Sequence, residues 1–455
     1  MKETCREFWG IQIINFVDCI AYFAMLTIAS VFLSEELGMT DAQAGWTLTA
    51  FTSATSVFLF FSGTVTDALG IRRSLHLSMI AMFVLRLAVV GIALVPAIPH
   101  KGMLTALSLL LMAPFMAGVQ TIFQSACKRY TTAKSRGAGF NVWYLFMNIG
   151  AAAGGISIDI IRKGMGLSSV HIFTLSAVCA VVCYLVALTL IHSEEQLRGE
   201  DEPAEPEASE VGVRNPLHIA RAVLSNAIIW RLVVLVTLIL GVRAVFTYLY
   251  LLMPKYWLRT IGPDAAFGTL NAINPIGIVI GLILIIPIAN KFKVYNMLVY
   301  GALISAFALL PMAIPWERYG MSIVSAHYTM ALVAMVILTL GEVIWSPKLN
   351  EYTAAIAPHG QEGTYLGLSL VPWFLAKTLV SYFSGYLLNR WSPETVEVGG
   401  VDVPLQQALI EGQLSYWDRP EAMWFWLGLW AVVGCLIAIA LKGWMTRDVK
   451  DPRVA

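Results

Sequence analysis

The chain consists largely of successive apolar runs, each long enough to cross a bilayer, and nothing else in it constrains the fold as strongly. A helical span needs about 20 mostly apolar residues to cross the hydrocarbon layer. The runs are continuous and do not alternate, so they read as helices and not as the strands of a membrane barrel. Of 455 residues, 58% are hydrophobic and only 13% charged, roughly half the charged share of an ordinary soluble domain. The net charge of +1 gives no reason to expect a nucleic-acid partner.

The pattern predicts an all-α membrane protein with twelve spans, at about 8–32, 44–61, 74–95, 104–123, 139–161, 171–191, 230–253, 267–289, 295–314, 327–345, 364–388 and 422–444. The first run, from Phe8 to about Phe32, is too long for the core of a cleavable signal peptide and is expected to stay as the first span. The stretch 192–228 carries Glu194, Glu195, Glu200, Asp201, Glu202, Glu205, Glu207 and Glu210 with Pro203 and Pro206, the composition of a solvated linker. It separates a six-helix bundle over 1–191 from a second over 229–455, the layout of paired repeats. The short loop 124–136 holds Lys128, Arg129, Lys134 and Arg136, whereas 34–43 holds no Lys or Arg. That asymmetry puts both termini in the cytoplasm of a cell whose inner membrane the chain crosses.

In the long loop 389–421, Thr395 to Val403 alternates around Gly399-Gly400, a hairpin pattern, with a short helix expected from Pro404 to Glu411. Gly150-x-x-x-Gly154 and Gly277-x-x-x-Gly281 have the spacing that lets spans approach closely. Pro114, Pro275, Pro311 and Pro372 interrupt their helices, which a membrane tolerates where the freed backbone faces protein or water. The six cysteines are scattered; Cys179 and Cys183 share a helix face without a second ligand pair and read as buried apolar residues. No metal or cofactor is expected.

The informative residues are the charges inside the spans. Arg86, Arg243 and Lys377 lie near the middles of spans 3, 7 and 11; Asp18 and Glu342 lie in spans 1 and 10. Each central charge costs about 2.5–3.5 kcal/mol on insertion scales, so three cations facing lipid would cost on the order of 8–10 kcal/mol. They must face a wet cavity or pair with one another's counter-charges, and both readings stay open at this stage. Three cations against two carboxylates favour a solute bearing an anionic group. Asp18 and Glu342 are candidates for carrying a coupling proton. Tyr22, Phe23, Tyr248, Tyr250 and Trp373 could line a pocket, or pack and anchor at the interface.

Gly63-Thr-Val-Thr-Asp67-Ala-Leu-Gly70-Ile-Arg72-Arg73 falls between spans 2 and 3, where its two glycines would allow a tight turn. The string resembles the inner-loop motif of the major facilitator superfamily, G-x-x-x-D-x-x-G-x-R-R. The resemblance implies two pseudo-symmetric six-helix bundles and a conformational latch made by Gly63, Asp67, Gly70, Arg72 and Arg73. Further stretches resemble the proton-dependent oligopeptide transporters: Arg136-Gly-Ala-Gly-Phe140 running on to Tyr144 and Asn148-Ile-Gly150, Asn271-Ala-Ile-Asn274-Pro275, Gly341-Glu342-Val-Ile-Trp-Ser346-Pro347 and Trp373-Phe374-Leu375. By this resemblance Glu342 meets a substrate amino group, Trp373 is a pocket wall, Tyr22 and Phe23 match an aromatic pair, and Asn274 belongs to the span 8 motif. The family's span 1 motif E-x-x-E-R is replaced by Asn15-Phe-Val-Asp18-Cys19, its span 4 lysine and the next proline by Val119 and Gln120, and a pocket tyrosine by Ser56.

The expected function is proton-coupled secondary active transport of a small organic solute by alternating access, with the two carboxylates as the proton carriers: a peptide-like or amino-acid-like solute first, another organic anion or drug-like compound, exported or imported, second. The substrate site would comprise Tyr22, Phe23, Arg86, Arg243, Asn274, Glu342, Trp373 and Lys377. Partners are the solute, protons and the lipid bilayer, with a monomer favoured. A membrane enzyme is the rival class, but no histidine pair has metal-ligand spacing and no G-x-S-x-G turn is present. A channel or receptor would not need two six-span halves. No G-x-x-x-x-G-K-[ST] loop is present to couple ATP.

Overall fold

The computed structural model describes residues 5–193, 227–289, 292–356 and 371–447. Most of the expected linker 192–228, namely 194–226, the start of the eleventh span at 364–370 and part of loop 290–293 lie outside the described residues. The first half contains α1 (Arg6–Glu35), α2 (Asp41–Leu69), α3 (Ile71–Leu94), α4 (Lys101–Arg129), α5 (Ala133–Asp159), extended by a π-helical turn, and α6 (Val170–Leu190). The second contains α7 (Ala227–Leu238), α8 (Leu240–Leu251), α9 (Met253–Thr260), α10 (Phe267–Ala289), α11 (Val294–Ala306), α12 (Leu310–Ala313), α13 (Ile323–Ile356), α14 (Val371–Trp391), α15 (Leu405–Ile410), α16 (Pro420–Ala440) and α17 (Lys442–Met445).

Among the described residues nine helices are long and apolar enough to cross a membrane. Trp230–Leu238 and Leu240–Leu251 make a tenth, bent by 47°. The bend has no proline. It falls where α8 crosses α16 at backbone contact: a Cβ on Gly241 would lie 2.7 Å from the Ala431 Cα, and one on Gly434 would strike the Leu238 carbonyl. The remaining two rods, α2 and α14, are long enough but less apolar, because they face each other along a polar seam. Thr52 meets Ser381 at 3.4 Å and Ser53 meets Thr378 at 3.1 Å.

Within the first half α1 packs on α5 and α6, and α3 on α4 and α6; in the second α13 packs on α10 and α11. Both small-residue motifs lie at these crossings. A Cβ on Gly150 or Gly154 would sit 2.6 or 2.7 Å from the Phe16 or Ile20 carbonyl oxygen of α1. Gly277 and Gly281 meet Thr339 and Val343 of α13 in the same way, each at 2.7 Å. Without a hydrophobic drive between helices in lipid, such close backbone packing holds them together. Turn chemistry marks the helix ends. Thr40 and Gln43 form a capping box before α2, and Gly70, at φ +82, ends α2 and begins α3. Gly63 is therefore not a turn residue: it lies six residues inside α2, and only Gly70 supplies the turn.

Thr395–Val398 (β1) pairs antiparallel with Val401–Pro404 (β2), Val398 opposite Val401 around two positive-φ glycines. α15 follows directly and seats Leu405 and Leu409 against Ile323.

The halves meet chiefly through α5 against α10 and α2 against α14. One end of the bundle, holding the start of α1 and the end of α16, is called the terminal end; the other is the far end. At the far end the contacts are polar and close. Asp41, the first residue of α2, takes Lys255 Nζ at 2.6 Å and Arg259 at 2.8 Å, and their side chains are 6%, 5% and 8% exposed. Asp159 at the end of α5 accepts from the backbone nitrogens of Gly268 and Thr269 at 3.2 and 2.6 Å. A Cβ on Gly155 would sit 2.6 Å from the Gly268 carbonyl oxygen. Between described residues, the hydrogen bonds and ion pairs joining the halves lie here, along the α2–α14 seam, and between Tyr22 and Lys377.

Two expectations follow. Gly154→Leu should overpack the α1–α5 crossing by about 1–3 kcal/mol, read as a lower melting temperature in detergent. Asp41→Ala should open the far end, since removing one partner of a buried pair costs about 3–5 kcal/mol. Spin labels at Met165 and Asp264, both exposed and in different halves, should move apart. Burial pushes the Asp41 carboxyl up, but the hydrogen bond from Arg259 and the charge of Lys255 outweigh it and hold the group below its ordinary value. Its contribution is present above the unfolded pKa and is lost only as pH falls through the lower folded one. The label distance in the unsubstituted protein should therefore show no change attributable to Asp41 between about pH 5 and 8.

Candidate functional site

Between the halves lies a cavity of about 460 Å³. Its wall draws on α1, α2, α4 and α5 of the first half and α8, α10, α13 and α14 of the second. Leu59, Gly63 and Gln124 carry the lining toward the terminal end, while the Asp41 and Asp159 contacts close the far end. The size suits a small organic solute and not a protein segment.

The structure brings Asp18, Tyr22, Phe23, Asn274, Glu342, Trp373 and Lys377 to this one cavity. Asn274 Nδ2 donates to Glu342 Oε2 at 2.9 Å and to Thr339 Oγ1 at 3.1 Å, so α10 fixes the carboxylate of α13. No Lys or Arg nitrogen among the described residues comes within ion-pair distance of Glu342. Lys377 donates to the Tyr22 hydroxyl at 3.2 Å, across the gap between halves, and its ammonium lies 5.0 Å from the Trp373 ring. Tyr22 stacks edge-on against Phe23, whose ring lies 5.5 Å from that of Tyr250.

Two expected lining residues are elsewhere. Arg86 is fully buried inside the first half: Nη2 is 3.7 Å from Asp18 Oδ1, and Nη1 donates to the Ser176 carbonyl at 2.8 Å. Arg86 thus lies in an internal pair whose other member, Asp18, lines the cavity. Arg243 stands behind the wall, its guanidinium 4.4 Å from the Trp345 ring and 5.2 Å from the Trp373 ring. The aromatic faces satisfy it through cation–π attraction. Tyr248 also leaves the set, buried against Trp424 at a ring distance of 6.2 Å. Of the latch residues, Gly63 lines the cavity and Gly70 makes the α2–α3 turn. Arg72 and Arg73 occupy the first turn of α3, and the Asp67 side chain lies outside what is described.

The first half supplies mostly neutral polar groups that sequence reasoning underweighted: Thr52, Thr55, Gln120, Thr121, Gln124, Tyr144 and Asn148. A signal was available, since Gln120 and Gln124 are four apart and share a face of α4. Val119 instead faces the core and Ser56 bonds back to the Thr52 carbonyl at 2.7 Å, so neither replaces a pocket contact. The resulting cavity has one wall of neutral hydrogen-bonding groups together with Asp18, which is paired with Arg86, and one wall bearing an acid and a base. It can hold a solute with both charged and uncharged polar groups.

Comparison with curated protein sequences finds no match. Among solved structures, a peptide transporter POT in complex with sulfate is similar, at TM-score 0.69 and 15% identity over 98% of this chain and 96% of that one. A bacterial homologue of the human drug peptide transporters matches at TM-score 0.69 and 16% identity, over 97% and 99%. A D-xylose-proton symporter matches at 0.68 and 11%, over 94% and 97%. At these identities the likeness is one of fold. The family model described as Major Facilitator Superfamily matches residues 11–381, four-fifths of the chain, and so this protein belongs to the Major Facilitator Superfamily of membrane transporters.

Proposed function

We propose that this transporter moves a small carboxylate-bearing solute, amino-acid-like or peptide-like, by proton-coupled alternating access. The observation that carries this reading is the presence of Glu342 and Lys377 on one cavity wall, neither with an opposite charge within 4.0 Å among the described residues. An uncompensated charge at mid-bilayer is costly unless water or a ligand solvates it. A zwitterion would satisfy both, its amine at Glu342 and its carboxylate near Lys377. The fold likeness to peptide transporters and to a D-xylose-proton symporter supports a solute site in this position and a proton as the driving ion.

In this reading the terminal end faces the cytoplasm, the bilayer is the inner membrane, and the conformation described is open inward. Gly63, Asp67, Gly70, Arg72 and Arg73 would latch the opposite, outward-open state. Asp18 and Glu342 carry the coupling proton, one in each half, both at the cavity wall. A second reading, an organic anion or drug-like compound moved in either direction, is favoured by Lys377 alone, since no carboxylate among the described residues lies within 4.0 Å of its ammonium. The protein acts as a monomer here, because one chain supplies the whole cavity wall.

The test is uptake into proteoliposomes under an imposed pH gradient. Glu342→Gln and Asp18→Asn should each lower proton-driven uptake at least tenfold while leaving solute exchange across the same membrane measurable. If the doubly neutralised protein still accumulates solute down the proton gradient as the unsubstituted protein does, these carboxylates are not the proton carriers.

A further inference from the structure

Lys377 differs from the other two mid-span cations in what it holds. Arg86 has a carboxylate and a backbone carbonyl, and Arg243 lies against two indole rings. Lys377 has three donor hydrogens to place. The described acceptor is one neutral phenol, at 3.2 Å, and the Trp373 ring 5.0 Å away gives only a diffuse attraction. No carboxylate among the described residues lies within 4.0 Å of it. Tyr22 belongs to α1 and Lys377 to α14, so the bond also crosses the cavity and ties one half to the other.

The remaining links between the halves flank this bond. Ser53–Thr378 and Thr52–Ser381 lie along the α2–α14 seam, and the far-end ion pairs lie beyond them. Of their residues Thr52 alone lines the cavity, and its partner Ser381 does not. Tyr22 and Lys377 both line it, so theirs is the link whose two ends a solute in the cavity meets.

We infer that Lys377 is the anchor for the solute's carboxylate and that the Tyr22 hydroxyl is its place-holder in the empty protein, surrendered when an anion binds. This rests on the reading of the cavity as a solute site and sharpens it: the anion is held by the second half, not by the neutral wall of the first. The chemistry favours the exchange. The ammonium already makes its bond to the phenol charge-assisted, but a carboxylate adds an opposite charge whose attraction the neutral phenol lacks and which weak screening between the spans strengthens, so the carboxylate outcompetes the phenol. Binding an anion therefore unties the halves at cavity level, whereas a neutral solute of the same shape leaves the tie intact.

The probes are N-acetylphenylalanine and its primary amide, which differ in the carboxylate alone, titrated into purified full-length protein and read by calorimetry. Unsubstituted protein should prefer the acid by about tenfold, the scale of one hydrogen bond to a charged group. Lys377→Gln should erase that preference, and Lys377→Arg should keep it, which separates loss of charge from loss of fold. Tyr22→Phe should tighten acid binding about threefold or more by removing the competitor, with the amide unchanged. Weaker acid binding in Tyr22→Phe would make Tyr22 a solute ligand and overturn the place-holder. An undiminished acid preference in Lys377→Gln would overturn the anchor. Equal binding of acid and amide to the unsubstituted protein sinks this inference but leaves a solute site standing; binding of neither sinks the reading of the cavity as well.

Discussion

A cation at mid-bilayer has to be answered by something, and the three answers found here organise the molecule. Arg86 is answered by Asp18 and a backbone carbonyl, which welds α3 to α1 and α6 inside the first half. Arg243 is answered by the rings of Trp345 and Trp373, which binds α8 to α13 and α14 inside the second. Lys377 is answered across the gap by a single hydroxyl. The first two make each half a firm body. The third leaves an incompletely met demand at the place where the bodies meet.

Firm halves are what alternating access requires, because a cavity between two rigid bodies can change the side on which it opens only if the bodies rock without deforming. Glycine contacts serve both purposes. Gly150 and Gly154 bring α5 onto α1 within one half, and Gly155 brings the same helix against Gly268 of the other. The first crossing is permanent packing. The second, reinforced by Asp159 and by Asp41 with its two cations, is the contact that the proposed mechanism would open. Arg259 also reaches the Ser392 carbonyl and Glu394, so the segment leading into the hairpin is fastened to the element that carries the far-end cations.

The spans, the paired halves and the glycine crossings could be read in the sequence because each has a local cause: run length, a polar break, a fixed spacing. The seam helices α2 and α14 were also legible as spans, although their Thr and Ser content dilutes the apolar signal. What local pattern could not give was partnership. Arg86 and Lys377 look alike as lone cations in apolar runs, and only the packing of α3 against α6 separates the one that is sealed from the one that faces water. The bend between α7 and α8 has no proline to announce it, because its cause is a glycine contact with a helix nearly two hundred residues away. The far-end ion pairs had a faint signal in Lys255 and Arg259, four apart on one helix face just past a span, but their partner Asp41 lies in the other half.

This distribution of charge bears on how the transporter departs from the peptide transporters it resembles in fold. The span 1 and span 4 cations that the resemblance would place on the first half are missing, and its mid-span cation, Arg86, is paired with Asp18. Acid and base both stand on the second half, opposite a wall of amides and hydroxyls. In the proposed mode a solute keeps its charged ends on one body, while the other meets it with neutral groups and with Asp18, whose charge is matched by Arg86. Rocking then breaks and remakes neutral hydrogen bonds, each worth about 0.5–1.5 kcal/mol net. No ion pair to the solute needs to be pulled apart in a medium where its separation would cost several times more. The proposed proton coupling follows the same logic, since neutralising Asp18 would strip Arg86 of its partner and loosen the first half from within, while neutralising Glu342 would leave Lys377 to set the charge of its wall.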